Sequence, residues 1–150
     1  MRFYPDTFPS FAYEPTTDHF AIRFIGDGVG QGVVALRNFE PCATVFRFTG
    51  VFSSEITLFT LRVNDWLHLH DPFFMGKILH SCDPNCHVDM ETRTFTAIKP
   101  IKSGDFVTMD YAQTESVLYR PFECACGAAN CRSLVVGYAQ EMPQEKERIA

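Results

Sequence analysis

A mostly β domain built from short strands is what this sequence predicts, on three observations. Fifteen of its 150 residues are Phe, joined by five Tyr and one Trp, and aromatic side chains suit the half-buried surface of a sheet. Nine Gly and nine Pro punctuate the chain too often for a helix bundle. Its apolar residues alternate over short runs, the period of strands rather than of helices.

The elements follow in order. Residues 1–18 carry three Pro and five aromatics without a clean period, which predicts an ordered arm at best. Phe20–Ile25 predicts the first strand, with Phe20, Ile22 and Phe24 on one face. The four alternating glycines of residues 26–32 predict either a flexible hairpin turn or a loop that wraps a small molecule, since glycine lets a ligand approach the backbone. Strands follow at Gly32–Leu36 and Thr44–Thr49. Residues 53–79 are less periodic, with a short helical turn at Phe73–Leu79. Val88–Met90, Thr94–Ile98 and Phe106–Met109 predict three more strands, and Thr114–Tyr119 a helical turn before Pro121. A cysteine knuckle and a polar tail close the chain, with no internal repeat.

Composition narrows the function. Charged residues are 21% and hydrophobic ones 46%, ordinary for one globular domain. No apolar run reaches the roughly 20 residues of a membrane span, and Met1–Asp6 does not resemble a signal peptide, so an intracellular protein is expected. The net charge is −5 and no Lys/Arg run exceeds one residue, so direct nucleic-acid binding is not expected. The same charge would weakly attract a basic peptide.

Three of the six cysteines fall in Cys124-Ala-Cys126-Gly-Ala-Ala-Asn-Cys131, two more flank Asp83-Pro84-Asn85, and Cys42 stands alone. Tight clusters of this kind read as metal ligands in a reducing compartment, not as a secreted disulfide framework. Three thiolates need a fourth donor for a closed tetrahedral zinc site, and by composition Cys82, Cys86 and Cys42 compete for it. Cys42 and Cys86 otherwise read as small buried hydrophobes.

His80-Ser-Cys82-Asp-Pro-Asn85, then Gly104-Asp-Phe-Val-Thr-Met109-Asp-Tyr111, then Cys-x-Cys-x4-Cys, with Gly28-Val29-Gly30 upstream, resemble in content and order a SET domain with its post-SET zinc knuckle. The resemblance runs from about Phe20 to Tyr138 and is closest to the minimal, free-standing SET proteins. It implies a SET fold of small strands with a C-terminal pseudoknot and a zinc knuckle. Its domain plan would be an N-terminal arm (1–19), the SET domain (20–113), the post-SET segment (114–138) and a tail (139–150). The family consists chiefly of protein-lysine methyltransferases that use S-adenosylmethionine (SAM).

Carried onto matching positions, the resemblance implies that the Gly28-Val29-Gly30 loop contacts the methionine part of the cofactor and the His80 backbone its adenine. Leu134 and Val135 fall where the family closes over that adenine. Tyr111 would stand at the methyl-transfer channel, its segment threading the pseudoknot. Cys82 would complete the zinc site with Cys124, Cys126 and Cys131. The departures lie in the same places. Leu79 stands where the family has the Asn that bonds the cofactor's amino-acid end, and Phe48 replaces a channel tyrosine. Met109, two before Tyr111, is at a position that helps set how many methyls fit. These changes leave open a lysine methyltransferase, a SET-fold enzyme redirected to a small molecule, or a non-catalytic binding module. If SAM is taken, its amino-acid end would need the Gly28–Gly30 backbone and a side chain such as Arg47 or His68. His68 and His70 alternate onto one strand face near Asp71, more simply as ordinary hydrogen-bonded histidines than as metal or acid–base groups; Arg47 and Glu115 are further candidates around the site.

Overall fold

The computed structural model describes residues 1–26 and 30–140. Strand β1 (Phe20–Gly26) turns back antiparallel on β2 (Gly30–Ala35), pairing Phe20 with Ala35 and Gly26 with Gly30. The alternation in β1 buries Phe20, whereas in β2 the successive residues Val33, Val34 and Ala35 are all buried. The tip of this hairpin, with Gly28 and Val29, lies outside the described residues.

Two three-stranded sheets carry the middle of the chain. One has the order β3 (Thr44–Arg47), β9 (Thr94–Ala97), β8 (Cys86–Asp89). The other has β4 (Val51–Ser53), β6 (His68–His70), β5 (Thr60–Arg62). All of these pairings are antiparallel. The core between the elements is aromatic: Phe46 stacks on Phe95 at 4.4 Å between centroids and meets the edge of Phe74 at 4.8 Å, and Phe74 touches Phe20 at 5.2 Å. Such pairs add about 0.5–1.5 kcal/mol each beyond the area they bury.

The late strands are short and set the site. A 3-10 turn (Met75–Lys77) leads into β7 (Leu79–His80), which pairs in parallel with β10 (Thr108–Met109). A parallel pair needs a long crossover, here the whole chain from 81 to 107, and this lays the C-terminal segment under the motif strand as a pseudoknot does. Helix α1 (Tyr111–Thr114) follows at once, capped by Asp110, whose carboxylate accepts the Ala112 N–H at 3.0 Å. Strands β11 (Phe122–Glu123) and β12 (Leu134–Val135) pair antiparallel to frame the cysteine knuckle.

Several boundaries move. The helical turn expected at 114–119 lies at Tyr111–Thr114, because the Asp110 cap starts it there. Phe106 contributes only a bridge to Val34 and leaves a two-residue strand after it. The strand expected at Val88–Met90 is Cys86–Asp89, and the aperiodic stretch contributes β5 and β6.

Residues 1–18 are not a loose arm. Tyr4 is buried, its hydroxyl donating to Asp71 Oδ2 at 2.7 Å and accepting the Thr49 N–H at 3.2 Å. The Asp71 carboxylate also accepts the N–H groups of Phe73, Phe74 and Met75, which fixes the turn before β7. Gly76 belongs to that turn; a Cβ there would strike the Asp71 carbonyl and Phe59. Cys42 corrects its reading as a buried hydrophobe. It is exposed, with a left-handed φ of 72° and its N–H on the Ala97 carbonyl at 2.8 Å. Cys86 is buried as expected, and burial pushes its thiol up to about 12.

Candidate functional site

The site begins with the loop after β7. Asn85 holds it to the returning chain on both sides: its amide donates to the Phe106 carbonyl at 2.8 Å and accepts the Thr108 N–H at 2.9 Å, and its own N–H reaches Thr108 Oγ1 at 3.0 Å. Ser81 N–H bonds the Met109 carbonyl at 2.9 Å. This clamp brings His80 to Tyr111. The Tyr111 N–H donates to His80 Nδ1 at 3.1 Å, so the neutral ring carries its proton on Nε2, which points at Cys82 Sγ, 3.4 Å away. Burial lowers His80 to about 4 and keeps the ring neutral beside Asp110.

Two cavities meet at Tyr111. The larger, about 720 Å³, runs along the motif strand between Gly30 and Gln31 on one side and Phe122, Glu123 and the first knuckle cysteines on the other. Leu79, His80, Lys77 and Arg120 also face it. The smaller, about 110 Å³, is walled by apolar side chains, among them Leu58, Leu61, Met75, Met109 and Leu118. Leu58, Gly76, Ile78, Tyr111, Arg120 and Phe122 border both. The Tyr111 hydroxyl donates to the Ile78 carbonyl at 2.5 Å, and burial raises its pKa, so the phenol is neutral and its oxygen lone pairs remain free to accept.

Leu79 makes one end of the large cavity apolar. Its side chain lies with Ile25 and Phe106 over Gly32, where an added Cβ would come within 2.9 Å of Leu79 Cδ1. Lys77, Gln31 and Arg120 are polar side chains lining the same cavity, whereas the sequence suggests Arg47 and His68 in place of the asparagine. Neither of those lines either cavity. Arg47 is exposed and donates to the Thr92 carbonyl, and His68 is buried in β6 with its Nδ1 unpartnered. His70 bonds Thr57 Oγ1 through Nδ1 at 2.9 Å.

The thiols of Cys82, Cys124, Cys126 and Cys131 lie within 4.8 Å of one another, with Cys82 and Cys124 Sγ 3.9 Å apart. A tetrahedral zinc with bonds of about 2.3 Å spaces its sulfurs about 3.8 Å apart, so the cluster has the right size and the right soft donors. Cys82 Sγ also faces three N–H donors: His80 Nε2, Arg132 N and Arg132 Nε, each at 3.4 Å. Three donors on one sulfur suit a thiolate, the form that binds metal. Backbone N–H groups of Cys82 and Ala128 pull Cys126 down to about 6, while burial pushes Cys124 up to about 12. Arg132 then ties the knuckle to Asp110 through a 2.7 Å ion pair.

Three positions expected at the site lie elsewhere. Phe48 is packed in the central core against Phe46 and Phe95, not along a channel, because it shares a face with Phe46 two residues earlier. Leu134 and Val135 are buried beside β11 and line neither cavity, and it is Phe122 and Glu123 that line the large one. Gly28 and Val29 are outside the described residues, whereas Gly30, with φ of 81°, borders the cavity. Met109, Leu79, His80 and Tyr111 all face one cavity or both.

Glu115, one of the minor candidates, is buried against the small cavity, its Oε2 accepting the Arg62 N–H at 2.9 Å. Burial raises it to about 7 from an ordinary 4.5. Below pH 4.5 the carboxyl is protonated in folded and unfolded chains alike and costs nothing. As pH rises toward 7 the unfolded chain ionises first, so the folded state loses stability, by on the order of 3 kcal/mol well above pH 7. Glu115→Gln keeps an acceptor for Arg62 and should therefore raise the melting temperature at pH 8 and leave it unchanged at pH 4.5. An equal shift at both pH values would refute the ionisation cost.

A β domain with a parallel motif pair, a chain crossing beneath it and a four-cysteine knuckle has the SET architecture. The chain belongs to the SET-domain family: the SET domain profile matches residues 30–112. Among curated proteins it is 38% identical over 65 residues to the methyltransferase flvH of Aspergillus flavus, covering 42% of this chain and 36% of that one. It is 37% identical over 76 residues to the histone-lysine N-methyltransferase Su(var)3-9 of Drosophila pseudoobscura pseudoobscura, covering 39% of this chain and 12% of that one. The chain thus spans about a third or less of these relatives' lengths. The crystal structure of KRYPTONITE in complex with mCHG DNA and SAH superposes with a TM-score of 0.61 at 20% identity, over 73% of this chain and 27% of that one, a likeness of fold. No helix among the described residues is long and apolar enough to cross a membrane.

Proposed function

We propose that this chain is a SAM-dependent N-methyltransferase that acts on an aliphatic amine, in the first place the ε-amine of a protein lysine. The observation that carries this reading is the meeting of the two cavities at Tyr111, a roomy one along the family's cofactor motif and a narrow apolar one beyond it. Bound in the larger, SAM would supply an electrophilic methyl group aimed through the junction. The narrow cavity would hold the methylene stem and exclude water. Tyr111, its proton committed to Ile78, would accept an N–H of the amine and set its lone pair in line. Only about one free lysine in a thousand is neutral near pH 7, so the ammonium must give up its proton to solvent before its lone pair attacks. Residues 20–113 would form the catalytic unit and 114–138 the zinc-bound flap, in a reducing, intracellular setting. Net charge −5 without a cationic run favours a basic peptide or amine over a phosphate backbone.

A small-molecule amine is the second reading, favoured by the apolar replacement at Leu79 and by a relative named simply as a methyltransferase. Calorimetric titration with SAM, followed by mass spectrometry of histone peptides and of free lysine offered as substrates, separates the two. The chain should bind SAM, and Leu79→Asn should tighten it about tenfold by restoring a hydrogen bond worth roughly 1–1.5 kcal/mol. Failure of both forms to bind SAM would overturn the methyltransferase reading, and tighter binding by the native form would make Leu79 part of an adapted pocket.

A further inference from the structure

The narrow cavity holds one acidic group, and the chemistry proposed above leaves it without a task. Glu115 sits at the end of α1, where its backbone is fixed at both ends: its N–H donates to the Tyr111 carbonyl at 2.9 Å and its carbonyl accepts the Tyr138 N–H at 3.0 Å. The side chain is buried and anchored by the Arg62 N–H, and the residue lines a cavity whose other walls are chiefly apolar.

No cation among the described residues forms an ion pair with it, and the charge of Arg62 acts on it only through space. The Arg62 guanidinium, next to its backbone partner, turns away to Asp65 at 2.7 Å and lies over the Tyr138 ring. Arg120, the other charged residue on this cavity, is exposed and rests over the Tyr119 ring at the rim. A buried carboxylate that costs stability and has no cation in contact with it is a poor structural device, because a glutamine would satisfy Arg62 N–H equally well. It is a good receptor for a cation of the right size.

We propose that Glu115 is the charge-recognition group of the narrow cavity, drawing in an alkylammonium end and rejecting neutral chains of the same shape. The proposal rests on the amine reading for its choice of ligand and on the geometry of the cavity for its site. Methyl transfer moves positive charge from sulfur to nitrogen, so a carboxylate on the nitrogen side also favours the charged product. Met109 and Leu118 supply the walls for the methylenes, and Glu115 the one full negative charge.

The test uses the whole chain and two probes, n-butylammonium and 1-butanol, titrated at pH 8 and followed by protein NMR. The native protein should prefer the ammonium by about tenfold, the value of one charge contact in a partly desolvated site. Glu115→Gln should lose that preference while keeping its SAM affinity within about twofold, and Glu115→Asp should retain most of it. Equal affinity for the two probes, no measurable binding of n-butylammonium, or an undiminished preference in Glu115→Gln would overturn the proposal. Should the ammonium preference hold in a protein that does not bind SAM, the receptor stands and the methyltransferase reading alone fails.

Discussion

Cys126→Ser should release the metal, loosen everything from Phe122 to Val135 and weaken SAM binding at least tenfold. The cluster holds its four thiols within 4.8 Å of one another, and the segment they bracket has little else to hold it. Its apolar contacts are few, a small group around Cys82, Leu118 and Val135 with Phe122 and Tyr111 alongside. In a flap of this kind metal binding is folding, and its free energy is large beside that of a few side chains. The cofactor consequence follows from position, because Phe122, Glu123, Cys124, Ala125 and Cys126 form one wall of the larger cavity. Elemental analysis should find one zinc per chain, and a strong chelator should reproduce the mutant's loss of amide protection after Phe122. Absence of zinc from purified protein, or a disulfide between any two of the four cysteines, would refute the assignment. Hydrogen exchange would also report His80, whose Nε2–H on Cys82 Sγ couples the motif strand to the knuckle.

What was legible in the sequence is what is local in the chain. The His80–Asn85 loop and the Cys124–Cys131 cluster fix their own geometry through short spacings, and the structure brings them together across 42 positions through Cys82. Phe20, Ile22 and Phe24 do lie in one strand, but only Phe20 is buried there and Phe24 is exposed. The narrow cavity was not legible, because residues 56–61 and 75–78 line it from segments without a hydrophobic period. The place of Tyr4 was not legible for a related reason. Its role depends on Asp71, 67 positions away, and nothing in a stretch rich in Pro and aromatics announces a partner at that distance. Phe48 shows how a motif position can mislead. Once the hydroxyl of the family tyrosine is gone, the ring obeys the strand alternation and joins Phe46 in the core. Glu115 was legible only as a candidate near the Asp110-Tyr111 motif, because its burial against the narrow cavity depends on segments distant in sequence.

Tyr111→Phe should reduce turnover by about a hundredfold or more while changing SAM affinity by no more than about threefold. The phenol lies where the two cavities join, with its proton held by the Ile78 carbonyl at 2.5 Å, so its oxygen can only accept from a neighbouring N–H. That acceptor fixes which way the amine nitrogen presents its lone pair, and misplacement by about 1 Å costs on the order of a hundredfold in rate. The ring itself remains in phenylalanine and keeps its contacts with His80 at 5.1 Å and Phe122 at 6.0 Å between centroids, so the wall of the larger cavity survives. The variant leaves the Ile78 carbonyl without its donor, which costs roughly 1–3 kcal/mol of stability if no water replaces it. A thermal melt therefore accompanies the kinetics, and a purely structural tyrosine would show that stability loss with turnover per folded molecule unchanged. The two variants also separate the parts of the site, because Tyr111→Phe should lower kcat with little change in KM for the amine, whereas Glu115→Gln should raise that KM. Equal loss of turnover and SAM affinity in Tyr111→Phe would move Tyr111 from the methyl-transfer junction to the cofactor wall.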